Sequence, residues 1–129
     1  MEKQRIHRVV CLLEQPASRI DAYEAAFGPG KVLHQPVRDF TLPSAQQLAA
    51  IIGFLCDADA AGERVVVHCG GGIGRTGVVL ARWLVAARGL PLNAAVKAVR
   101  ESGAYREPYE SEGRDGVTRE MIDALIAGS

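Results

Sequence analysis

The sequence predicts an α/β domain with a short, mainly parallel central sheet flanked by helices on both faces. Two observations carry that expectation. Short β-branched, apolar runs (RVVCLL at 8–13, KVLHQPV at 31–37, VVVH at 65–68) alternate with longer segments whose apolar residues recur at helical spacing. Strand–helix–strand order with long crossovers forces parallel pairing and lays the helices over the sheet. With 129 residues the chain holds one core, so a single domain is expected over 1–129.

The first run, 8–13, reads as a buried strand. In the helix that follows, Ser18 and Asp21 have the spacing of a capping box, and Gly28 supplies a stop. The second strand, 31–37, is interrupted near its end by Pro36. After the loop RDFTLP, Ser44 and Gln47 form another capping-box pair, Leu48, Ile51, Ile52 and Leu55 make a helical stripe, and Gly62 ends it. Strand three is Val65–His68. The segment VVLARWLVAAR, 78–88, is apolar on most faces and reads as a central buried helix ended by Gly89. Asn93 is placed as the cap of a helix running to about Glu101. A polar loop over 103–116 and a last helix over 118–128 complete the chain.

Composition excludes several functions. Lys plus Arg and Asp plus Glu each number 15, so no bulk charge favours nucleic acid or a membrane surface. No apolar run is long enough for a membrane span, and the N-terminus has no signal-peptide core. The three cysteines, Cys11, Cys56 and Cys69, are too few and too irregular for a disulfide scaffold, so a reducing cytoplasm is the expected home. Cys11 and Cys56 read as core filling. No metal-ligand spacing is present, and no cofactor is expected.

The chemistry concentrates in RVVVHCGGGIGRTG, 64–77. Gly72, Gly74 and Gly77 spell G-x-G-x-x-G, but no strand with a terminal acid follows the helix, so a dinucleotide site is not supported. A nucleotide P-loop requires glycine where Cys69 stands and lysine where Arg75 stands. The pattern H-C-x5-R-[ST] from His68 through Thr76 accounts for more of the residues. Glycine-rich backbone from Gly70 through Gly72, with Ile73 and Gly74, can turn its N–H groups inward around an oxyanion. Arg75 can grip two oxygens with its planar fork, and the helix dipole adds to the field. The same field draws a thiol pKa from about 8.5 toward about 3.5–7.5, which makes Cys69 a nucleophile at neutral pH.

This stretch resembles the signature of the cysteine-dependent protein tyrosine phosphatase superfamily, and the segment from about residue 6 to about 112 is similar to its small atypical dual-specificity members. PVRDFTLPSAQQL is a second anchor, because the family carries its general acid in a D-x-x-x-P loop, which Asp39 and Pro43 match 30 residues before Cys69. The resemblance implies a compact phosphatase-like domain in which Cys69 attacks phosphorus, Asp39 protonates the leaving oxygen, Arg75 holds the equatorial oxygens and Thr76 hydrogen-bonds the departing thiolate. It makes His68 a supporting residue behind the loop.

It also implies a monomer acting on phosphorylated proteins or small phosphomonoesters: phosphotyrosine, with phosphoserine or phosphothreonine admitted by a shallow site. No nucleic acid and no membrane are expected as partners. Two departures are visible. The strand or strand pair that the family places ahead of residue 5 has no counterpart here, and Ser111 aligns where the family often has a glutamine that positions water. Against each reading stands a plainer one. The whole site could be a non-catalytic phosphate-binding module, Asp39 a turn carboxylate, Thr76 a capping hydroxyl, and Arg38, Arg106 and Arg114 solvated surface.

Overall fold

The computed structural model describes residues 6–12, 17–38, 41–68, 74–102, 107–114 and 116–128. Along the chain these form β1 (Arg8–Cys11), α1 (Ala17–Phe27), β2 (Val32–His34), α2 (Ala45–Ala60), β3 (Val65–His68), α3 (Gly74–Arg88), α4 (Leu92–Arg100) and α5 (Arg119–Ala127). The strands lie in the order β2-β1-β3, and both pairings are parallel.

β1 takes the centre because both of its faces are apolar. Val9, Val10 and Cys11 are all buried, as a strand covered on two sides requires. Val10 pairs in register with Leu33 and Val67. On that face they meet Leu48, Ile51 and Leu55 of α2 and Val79 of α3. α1 packs against β1 and β2. Val66, the register partner of Val9, remains 37% exposed. α3 separates this core from a second one, in which Val78 and Ala81 pack against Ala95, Val96 and Val99 of α4 and Ile122 and Ile126 of α5. The helix after the glycine loop is therefore central, as its all-round apolar sequence implies.

Several local expectations hold. The Ser44–Gln47 box forms in both directions: Gln47 N–H donates to Ser44 Oγ at 3.0 Å and Ser44 N–H to Gln47 Oε1 at 3.1 Å. Gly28, Gly62 and Gly89 follow their helices at φ of 95°, 71° and 68°, where a side chain would be strained.

Others are corrected. β2 stops at His34 rather than reaching residue 37. Pro36 has no N–H to continue a ladder, and the chain leaves through bonds from Gln35 N–H to Cys11 O and from Val37 N–H to Leu12 O, both 3.0 Å. α1 already begins at Ala17, so Ser18 lies inside the first turn and is not its cap. Likewise α4 starts at Leu92 with Pro91 as its N-cap, ahead of Asn93. Proline suits this entry because its fixed φ, here −66°, leads into a helix and its missing N–H costs nothing there. Cys11 is buried, but Cys56 is exposed. One step past buried Leu55 rotates it by about 100° to the solvent side of α2.

Candidate active site

β3 ends at His68 and α3 begins at Gly74, so residues 69–73 join the carboxyl end of a parallel strand to a helix N-terminus. Crevices of this kind hold ligands in parallel α/β sheets, and the free N–H groups of a first helical turn attract anions. α3 carries no acidic residue in its first turn that would compete for that potential. Cys69, Gly70, Gly71, Gly72, Ile73 and Asp39 lie outside the described residues. What is described is the frame around them.

Arg75 and Thr76 open α3 and are buried, with 6% and 1% of their surface exposed. A buried guanidinium has to be hydrogen-bonded. Arg75 Nη1 donates to the carbonyl oxygen of Val37 at 2.8 Å. Val37 lies two residues before Asp39 and is itself buried. Thus the arginine of the glycine loop and the segment carrying the carboxylate meet directly, although 38 positions separate Val37 from Arg75.

That segment is pinned on both sides of Asp39. Gln47 Nε2 donates to Pro36 O at 2.7 Å, so the cap of α2 also holds the loop. Beyond the carboxylate, Thr41 N–H donates to Arg38 O at 3.1 Å and the Thr41 hydroxyl donates to the same oxygen. Pro43 is fully buried. Arg38 itself is exposed.

A third segment, 107–114, closes on the first turn of α3. A Cβ placed on Gly77 would lie 3.0 Å from Pro108 N and 3.1 Å from Glu107 C, a tight contact that glycine avoids. Glu107 is held by a two-bond pair with Arg100, Nε to Oε1 at 2.8 Å and Nη2 to Oε2 at 2.9 Å. The Arg100 bonds hold the Glu107 carboxyl below the usual carboxylate range, against a smaller upward push from burial. Tyr109 donates its hydroxyl to Asp123 of α5 and lies under Arg119, whose guanidinium carbon is 4.1 Å from the ring centroid. Burial, reinforced by the Asp123 bond, pushes the Tyr109 phenol up to about 12. Ser111 is buried, and Arg114 is exposed.

Nothing local in the sequence marks Glu107 or Tyr109. The available signal was Gly77, a glycine inside a helix, which destabilises unless something approaches closely. Among the described residues no group of three metal-ligating side chains is assembled, and no helix is long and apolar enough to cross a membrane.

A parallel sheet whose third strand leads into α3, with Arg75 of that helix bonded to Val37 in the segment before Asp39, is a protein tyrosine phosphatase-like fold. The family described as "Polymorphic toxin system, DSP-PTPase phosphatase" matches residues 1–89, and the chain belongs to it. The uncharacterized protein MJECL20 of Methanocaldococcus jannaschii is 41% identical over 51 residues, 40% of this chain and 35% of that protein. The matched stretch thus spans about a third of the length of this curated relative. Among solved structures, Tk-PTP in the active form superposes with a TM-score of 0.73 at 32% identity, covering 95% of this chain and 77% of that one. PTPMT1 in complex with PI(5)P gives a TM-score of 0.71 at 18% identity, covering 95% of this chain and 78% of that one, a likeness of fold alone.

Proposed function

We propose that this chain hydrolyses phosphate monoesters through a cysteinyl-phosphate intermediate. The Cys69 thiolate attacks phosphorus while the bond to the leaving oxygen breaks, and Asp39 gives that oxygen its proton. Water then attacks the phosphocysteine, Asp39 takes the proton, and the P–S bond breaks to release phosphate and the thiolate, to which Thr76 donates a hydrogen bond. Arg75 and the N–H groups of Gly70, Gly71, Gly72, Ile73 and Gly74 hold the oxygens throughout, where developing charge rewards fixed donors most. His68 supports the loop from behind.

The observation that carries this reading is the bond from buried Arg75 to Val37. It supports the reading because Arg75 and the segment leading to Asp39 meet, which a chance C-x5-R pattern would not require. The substrates we propose are phosphotyrosine first, then phosphoserine and phosphothreonine. Gly70, Gly71 and Gly72 put no lysine in the loop, which argues against inositol lipids. Turnover measured side by side on phosphotyrosine, phosphoserine and phosphothreonine peptides, nucleotides and a phosphoinositide tests the assignment. Highest kcat/KM on phosphotyrosine is the expected result. Phosphate binding without turnover on any of them would make this a non-catalytic phosphate-binding module.

A further inference from the structure

We infer that Glu107 is a positioning residue for the phosphate cradle, an inference that rests on the functional reading above. Its carboxylate does two things at once. It takes the two-bond grip of Arg100 from the end of α4, and its Oε2 accepts the N–H of Tyr109 at 3.0 Å. The second bond ties the side chain back over its own turn, so the backbone from Glu107 to Tyr109 has one shape. Tyr109 then fixes the far side of the turn to Asp123 of α5.

The turn held this way is the one that presses on α3. Pro108 is fully buried, and its nitrogen is the atom nearest to where a Gly77 Cβ would stand. Gly77 follows Thr76 and lies two residues after Arg75, in the first turn of α3, whose N–H groups and guanidinium hold the oxyanion in the function proposed above. A shift of the 107–109 turn is therefore transmitted through backbone contact to Arg75, without a flexible side chain between.

Glu107 and Arg100 are 38% and 47% exposed at their side chains. Ion pairs this exposed contribute little to stability. A purely structural role would leave the Glu107 variants close to wild type in every respect at 25 °C. A positioning role separates binding and catalysis from stability.

The test compares wild type, Glu107→Ala and Glu107→Gln by three measurements: inorganic phosphate affinity by calorimetry, kcat and KM on p-nitrophenyl phosphate, and Tm. Glu107→Ala should weaken phosphate binding and lower kcat/KM by about tenfold or more, since displacement of a gripping group by a fraction of an ångström is costly. Glu107→Gln, whose amide oxygen can still accept the Tyr109 N–H, should recover most of both, and the Tm values should stay within a few degrees. Unchanged phosphate affinity and kcat/KM in Glu107→Ala would overturn the inference. If wild type binds phosphate without turnover and Glu107→Ala binds it less tightly, the inference holds and the catalytic reading fails. If wild type binds no phosphate, both fail.

Discussion

Arg75 Nη1 lies 2.8 Å from the carbonyl oxygen of Val37, and this bond joins the glycine loop to the segment of Asp39. Lysine at 75 keeps the charge, but it loses the planar fork that can hold the Val37 oxygen and an oxyanion together. Arg75→Lys should lower kcat/KM at least about a hundredfold, the loss typical of one missing oxyanion donor. Arg75→Ala should in addition destabilise the fold by about 1–3 kcal/mol, because a buried carbonyl loses its partner. Steady-state kinetics and urea unfolding check the two effects separately. Near-wild-type kcat/KM in Arg75→Lys would remove the bidentate role.

Gly77→Ala tests the contact between α3 and the 107–109 turn. The added methyl meets backbone atoms at 3.0 and 3.1 Å, which cannot rotate away. The cost should be about 1–3 kcal/mol, although alanine is the better helix former. A urea midpoint at or above that of wild type would show that the turn yields.

Tyr109 should make stability fall with pH in the alkaline range. Its folded-state pKa is pushed up to about 12, by burial first and then by the bond to Asp123. An unfolded tyrosine ionises near 10. The stabilisation is therefore complete below about pH 10 and is lost as pH rises toward about 12, because there the unfolded state sheds its proton first. Between pH 9 and pH 11.5, wild type should lose more stability than Tyr109→Phe. Parallel losses in urea unfolding would contradict the assigned cause.

The positions of α2, β3 and α3 were legible in the sequence because they rest on local signals. The valine run, the glycines at helix ends and the Ser44–Gln47 box are each satisfied by residues a few positions apart. Misreadings arose where neighbouring geometry overrides a local pattern. Ser18 has the spacing of a cap, but α1 starts before it, and Asn93 yields to Pro91. Cys56 sits in an apolar segment, yet one residue of helical rotation turns it outward. The contacts of Arg75 with Val37 and of Gly77 with Pro108 span 38 and 31 positions, and nothing local announces such pairings. They appear only once the sheet brings the loops to one end.

Asp39→Asn probes the proposed acid. A positioned general acid contributes about 10²–10⁴ in rate. The loss in kcat should approach that range on phosphoserine, whose alkoxide leaves poorly, and be smaller on p-nitrophenyl phosphate. Phosphate affinity should change little. Equal small losses on both substrates, with an unchanged pH profile, would transfer the role to another carboxylate.

Cys69→Ser, assayed on p-nitrophenyl phosphate beside wild type, tests the central claim most directly. A serine hydroxyl is not ionised near neutral pH, while Arg75 and the loop N–H groups are untouched. Wild type should turn over and Cys69→Ser should not, with inorganic phosphate bound comparably by both. Hydrolysis by Cys69→Ser at a rate close to wild type would contradict the account.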